Sequence, residues 1–210
     1  MRTTMLPLFP LPAVVFPRTR LPLHIFEDRY KEMVGDALRD QTEFGIVLAK
    51  EEGLVNVGCT VVVEQVLKSY EDGRMDILTA GVRRFEIVRL DQEKSYLRGE
   101  VMFFDDNEPG PAPRDAQWKA LEEYRHWLEL GEPQPGGEAV LSDPQLSFQL
   151  AHALRDLDFL QQLLHNRSEQ ERLEMVAKFL HGYIPRQRQT ARMRVLAPLN
   201  GHGPKPDTIV

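Results

Sequence analysis

Cysteine is nearly absent from this chain. Cys59 is the single one in 210 residues, which excludes an intramolecular disulfide and any thiolate-rich metal centre. Long apolar runs are missing too: none approaches the ~18 residues of a membrane span. Met1 to Phe16 has the outline of a secretory signal, with Arg2 before an apolar stretch, but Pro7, Pro10 and Pro12 interrupt it and no small-x-small cleavage pattern follows. A cytoplasmic protein without a membrane partner is expected. Positive charge is in deficit, with Lys plus Arg 26 against Asp plus Glu 32 and a net charge of −6. That balance opposes attraction to phosphate backbones, so nucleic acid is not the expected partner. Arg186, Arg188, Arg192 and Arg194 are a local exception. No aromatic residue interleaves with them, and residues 185–210 read as a basic, irregular, solvated tail.

Catalytic motifs are lacking as well. There is no G-x-x-x-x-G-K-[ST] phosphate loop and no G-x-G-x-x-G, and none of the serines at 69, 95, 142, 147 and 168 lies in G-x-S-x-G. Cys59 sits in a run of valines, as a small core residue does. His152 with Asp156 and His165 with Glu169 are four apart, but neither pair belongs to H-E-x-x-H, and capping or surface hydrogen bonds account for them. Trp118, Tyr124 and Trp127 fall at helical spacing and read as core. No catalytic residue, cofactor or metal site is expected.

Proline, by contrast, is plentiful at the start. LPLFPLPAVVFPRTRLPLHIFEDRY, residues 6–30, carries Pro7, Pro10, Pro12, Pro17 and Pro22, so it forms short extended pieces rather than a helix. Leu11 to Phe16 is expected to be a buried strand, with a turn around Arg18 to Arg20. From Glu27 the rhythm becomes helical: Phe26, Tyr30, Met33, Val34, Ala37 and Leu38 recur on one face. Residues 43–104 read as strands. EFGIVLAK and CTVVVEQVL are followed by Asp72-Gly73, a strong hairpin signal; in RRFEIVRL, Phe85 and Ile87 alternate against Arg84 and Glu86; YLRGEVMFF comes last. Such spacing predicts a small antiparallel barrel or sandwich with the early helix packed on it.

DDNEPGPAPRD, residues 105–115, breaks the pattern and serves as a linker. Beyond it, Trp118, Leu121, Tyr124 and Leu128 mark one helix, and GEPQPGGE a loose connection at 131–138. Leu146 to Leu154 and Leu157 to Leu164 mark two more helices. Ser168 with Glu171 forms a capping box before a last one, which Gly182 and Pro185 are expected to stop. The division is therefore a β unit at 1–104, a linker, a helical bundle at 116–184 and the tail. The fold class is α+β.

Three stretches together resemble one known family. The opening quoted above, VGCTVVVEQVLKSYEDGRMDILTAGVRRFEIV and SYLRGEVMFF look in that order like the start, central hairpin and following strand of the Lon protease N-terminal, substrate-binding domain. The run D-G-x-x-x-I-L-x-x-G-V-x-R-F-x-I from Asp72 to Ile87 is the most specific part. The resemblance implies a PUA-like pseudo-barrel completed by helices, in a stand-alone form without the ATPase module and Ser-Lys peptidase of full Lon proteases. It implies a non-catalytic polypeptide-binding or adaptor role, with unfolded or damaged polypeptide and a Lon-type protease as partners. The alternative is a PUA-like RNA- or nucleotide-binding module. On the first helix the apolar face is buried, leaving Asp28, Glu32 and Arg39 outward with Arg29 and Lys31 flanking. That ledge beside the barrel is the candidate peptide-binding surface.

Overall fold

The structure is a computed structural model that describes residues 3–129, 140–141 and 143–196, with side chains described as far as Ile184. The connection expected at 131–138 and residues 197–210 of the tail lie outside the described residues.

The proline-rich opening is extended, but its strand lies earlier than Leu11 to Phe16: β1 spans Thr4–Leu11. Pro7 and Pro10 are tolerated because β1 changes neighbour midway. Thr4 to Pro7 pair antiparallel with β6 (Arg98–Phe104), and Leu8 to Leu11 pair parallel with β3 (Phe44–Lys50). Each half therefore has a side without a ladder, where a residue lacking an N–H is tolerated. Residues 12–16 form a connection that buries Val15 and Phe16.

Two long strands, β4 (Gly53–Ser69) and β5 (Met75–Asp91), join the segments read separately from the sequence. Their hairpin closes where expected. Tyr70 N–H donates to Arg74 O at 2.9 Å, and Gly73 takes φ +81°, a region open to glycine. β5 pairs along its first part with β2 (Arg20–Ile25) and along its second with β6. The ring β1-β3-β4-β5-β6 thus closes on itself, β2 is appended to the arm of β4 and β5 that extends beyond it, and every pairing except β1 with β3 is antiparallel. The turn into β2 depends on Gly81. Arg18 has φ +61° and donates its N–H to Gly81 O at 2.7 Å, and a Cβ on Gly81 would lie 2.1 Å from Phe16 O.

A small cluster of Leu6, Leu8, Val47, Phe85 and Val101 draws on β1, β3, β5 and β6. The Phe85 ring occupies the space that glycines vacate: a Cβ on Gly45 or on Gly58 would come 2.6 Å from Phe85 Cζ. The larger core lies outside this cluster. There the buried stripe of α1 (Asp28–Asp40), namely Tyr30, Met33, Val34 and Ala37, meets Phe44 and Ile77 of the sheet. Burying each large side chain of that stripe contributes about 1.5–3 kcal/mol. Phe26 and Leu38, expected on the same face, are exposed.

The same apolar core continues into the helices α2 (Arg114–Leu128), α3 (Leu146–Ala151), α4 (Leu157–His165) and α5 (Glu169–Leu196). The buried face of α2 is Ala116, Gln117, Ala120, Leu121, Tyr124 and Trp127; Trp118 points outward, contrary to its reading as core. Ser168 Oγ accepts the Glu171 N–H at 3.3 Å, while Asn166 Oδ1, not Glu171, accepts the Ser168 N–H. α5 does not stop at Gly182 or Pro185. Residues 186–196 include Arg, Gln, Ala and Met, good helix formers that continue the turns past the one hydrogen bond a proline removes.

Arg84, expected on the outer face of its strand, is 2% exposed and joins the two halves. Its Nη1 donates to Asn166 O at 2.7 Å and to Leu164 O at 3.2 Å, and its Nη2 to Asp106 at 2.5 Å. Arg172 on α5, fully buried, reaches the same carboxylate with two bonds of 2.6 Å and Glu169 with another of 2.6 Å. Glu169 also accepts the Ser147 hydroxyl at 2.6 Å and the Ser147 N–H at 2.8 Å. Burial pushes the Asp106 carboxyl up, but hydrogen bonds and charge from Arg172 and Arg84 outweigh it and hold the group below its ordinary value. Burial dominates at Glu169 and pushes its carboxyl up against the pull of Ser147 and Arg172.

Arg172→Met should destabilise the fold by about 3–5 kcal/mol, read by urea unfolding, because it leaves buried carboxylates uncompensated. A group with a depressed folded pKa contributes stability above its unfolded pKa and loses it as pH falls through the folded value. The stability advantage of wild type over Asp106→Asn should therefore be complete at neutral pH and shrink below about pH 4. Phe85→Ala should cost about 3–5 kcal/mol by the same measurement, since it empties the centre of the small cluster.

Candidate functional site

An apolar cleft of about 480 Å³ opens between the end of β1, strand β2 and the start of α1. Its deepest residues are Phe9, Ile25 and Tyr30, all under 10% exposed. Phe9 and Tyr30 fix one another, with ring centroids 4.1 Å apart. Leu11, Pro12 and Leu23 line the sides, and Phe26, 59% exposed, stands at the margin beside His24, their rings 5.9 Å apart. The connection Pro10 to Pro12 is held extended by its own imino rings. Burial pushes the Tyr30 hydroxyl up from its ordinary value.

One wall is a strand edge. The Gly81 N–H donates to Thr19 O at 2.9 Å, and the register pairs Leu21 with Thr79, Leu23 with Ile77 and Ile25 with Met75. By the two-residue alternation of an antiparallel ladder, these residues bond to β5, while Arg20, Pro22 and His24 turn their backbone groups away from it. No other strand among the described residues pairs with that side of β2. Pro22, which has no N–H to offer the ladder, falls on the outward set.

Of the five residues proposed from the sequence, Arg29 borders the cleft. It is ion-paired to Glu27 at 2.7 Å and lies over the Tyr30 ring at 4.6 Å. The other four are placed away from it. Asp28 is 98% exposed and pairs with Lys31 at 3.1 Å, and Lys31 also donates to Asp72 O at 3.2 Å, tying α1 to the hairpin turn. Glu32 accepts the Ser95 hydroxyl at 2.7 Å. Arg39 pairs with Asp36 at 2.7 Å and with Asp40 at 3.1 Å. Asp36 also accepts from Lys94 and Tyr96 at 3.0 Å, and these bonds with Arg39 hold its carboxyl well below the usual range. The outer face of α1 is thus a set of ion pairs that fastens the helix to the 94–96 loop. The sequence missed Phe9, Leu11, Leu23 and Ile25, because apolar residues in a strand pattern carry no mark of which cleft they border.

The other chemical candidates are absorbed by structure. Cys59 is buried and its thiol is pushed up to about 12 by burial, so it is not a thiolate at neutral pH. Asp156 caps α4, accepting the Phe159 N–H at 2.9 Å, and Glu169 belongs to the buried ionic network. Among the described residues, no group of three or more His, Cys, Asp or Glu is placed to hold a metal ion, and no helix is long and apolar enough to cross a membrane.

A barrel completed by helices is the fold this chain shares with Lon N-terminal domains. The Lon N-terminal domain protein from Xanthomonas campestris superposes with a TM-score of 0.67 at 25% identity, over 82% of this chain and 96% of that one. The N-terminal domain of the Lon protease from the Mycobacterium avium complex superposes with a TM-score of 0.64, over 85% and 98%; at 16% identity that likeness concerns the fold. Residues 5–182 match the family of the ATP-dependent protease La (LON) substrate-binding domain, and the chain belongs to that family. Among curated relatives, the Lon protease of Anaeromyxobacter dehalogenans is 33% identical over 110 residues and that of Parabacteroides distasonis 27% over 118. These matches span 48% and 52% of this chain but only 13% and 14% of those proteases.

Lys94→Ala should raise the Asp36 carboxyl toward its ordinary value, followed by side-chain NMR titration, because the Lys94 bond is the largest influence holding it down.

Proposed function

We propose that this chain is a non-catalytic polypeptide-binding module that takes an extended segment along the free edge of β2, with apolar side chains of the segment seated in the adjoining cleft. The observation that carries the reading is the juxtaposition of an apolar cleft with a strand edge whose outward backbone groups lack a strand partner. Main-chain bonding to an edge is indifferent to sequence, and a cleft that accepts alternate side chains adds a preference for apolar ones. That combination suits unfolded or damaged chains, which expose both features. Membership of a substrate-binding family supports the same reading. Arg29 contributes a charged margin, already balanced by Glu27. The RNA- or nucleotide-binding alternative gains no comparable support, since the cleft presents no cluster of cations.

Affinity for a fluorescently labelled, reduced and alkylated lactalbumin, measured by anisotropy, tests the reading. Phe26→Asp and Leu23→Ser should weaken binding about tenfold or more; the exposed Phe26 site should tolerate its change within about 0.5 kcal/mol of stability. His24→Pro removes one outward N–H and should weaken binding, whereas His24→Ala keeps that N–H and should not. Reversal of the outer charges by Asp28→Lys with Glu32→Lys should leave affinity within about threefold, because both are engaged away from the cleft. Wild-type affinity in the Phe26 and Leu23 variants, with loss in the charge reversal, would move the site to the outer face of α1.

A further inference from the structure

A second cavity, of about 260 Å³, is lined from α2, α5 and the connection into α4, and shares no residue with the cleft beside β2. Its walls include Trp127, Leu154, Phe179 and Tyr183, with Arg155 and Asp156 just before α4. The Trp127 indole nitrogen is buried, so that residue offers the cavity apolar ring surface and no donor. Phe159, Phe179 and Tyr183 stack in a column with ring centroids 4.1 and 5.6 Å apart, and Tyr183, half-buried, ends it. Asp156 is the one carboxylate on this lining. Its Oδ1 accepts the Phe159 N–H at 2.9 Å, and its other oxygen has no partner among the described residues. Because Phe159 begins the aromatic column, this cap bond fixes a half-engaged carboxylate beside that column. Arg155 also borders the cavity, but it is exposed and enters no ion pair among the described residues. Its long side chain is free to extend into water; the Asp156 carboxylate is held in place.

We propose that this cavity binds a small primary ammonium with an apolar or aromatic body: the ammonium donates to the unengaged oxygen of Asp156, and the body lies against Leu154, Phe179 and Tyr183. An apolar, aromatic space with one fixed carboxylate at its margin is complementary to such a cation in charge and in surface. The electron-rich faces of the rings add attraction for the ammonium. A neutral alcohol gains a weaker bond than this charge-assisted one, and an acid of the same shape is repelled by Asp156. The site stands or falls independently of polypeptide binding at the cleft beside β2, since the two have no residue in common.

The test is NMR titration of the full chain at neutral pH with 3-phenylpropylamine, 3-phenylpropanol and 3-phenylpropionate. The amine should move the backbone amide signals of Ala153, Leu154 and Tyr183 saturably in the low-millimolar range, and the alcohol and the acid should bind about tenfold more weakly or not at all. Asp156→Asn keeps the helix-capping acceptor and removes the charge, so it should weaken the amine about tenfold with the fold intact by circular dichroism. Ala153→Leu, which places a larger side chain on the cavity lining, should weaken the amine as well. Signals that stay in place to the solubility limit of the amine, equal affinity for the three probes, or wild-type amine affinity in Asp156→Asn would each overturn the assignment.

Discussion

The doubly bonded pair of Arg172 and Asp106 is the constraint on which the rest of the arrangement depends. Asp106 follows β6 directly, Arg84 comes from β5, Arg172 and Glu169 from the first turns of α5, and Ser147 from α3. One cluster therefore fixes the barrel, the segment after it and two helices against one another. A hydrophobic contact could fill the same space, but apolar surfaces slide; the Arg172 fork and the single Arg84 bond on one carboxylate fix angle and distance together. The cost is desolvation of several charges. It is offset because the forks also reach the carbonyls of Leu164 and Asn166, so no charged group is left unsatisfied.

With that junction fixed, the apolar core can run without interruption from α1 through the sheet to α5, and the surface left over includes the edge and cleft of the proposed site. Among the described residues, the arm beyond the ring of five strands has two edges, the Val62–Ser69 end of β4 and, beside the cleft, β2. Edge strands are a hazard that proteins usually cover or interrupt. The β2 edge carries Pro22 between Arg20 and His24, and the missing N–H there opposes continuous pairing along it. The cleft beside it is shaped by rigid pieces, Pro10 to Pro12 on one side and the Phe9–Tyr30 stack beneath. Under the proposed reading, little of the cleft has to become ordered on binding, which favours affinity for a partner that must itself become ordered.

The matched part of the full Lon proteases is about one seventh of their length. Under the proposed reading such a module supplies affinity rather than chemistry; among the described residues the single thiol is buried, Asp156 caps α4, and His24 and His181 pair with carboxylates.

Local chemistry wrote much of the fold into the sequence. The Asp72-Gly73 turn, the helix after Glu27, the cap at Ser168 and the β-to-α change after Phe104 depend on neighbours a few residues apart, and each was readable there. The family resemblance was readable for the same reason, since it rests on contiguous motifs. Only the tertiary structure decided where β1 lies, because tolerance of Pro7 and Pro10 comes from a switch of strand partners that no local rule contains. It decided that Arg84 is buried although strand alternation put it outside, since the helices cover that face. It separated Trp118 from Trp127, and it showed the outer face of α1 to be a set of ion pairs with an apolar cleft on its flank. Periodicity tells which residues leave water; which surfaces then meet, and which stay open, is a property of the packed chain alone.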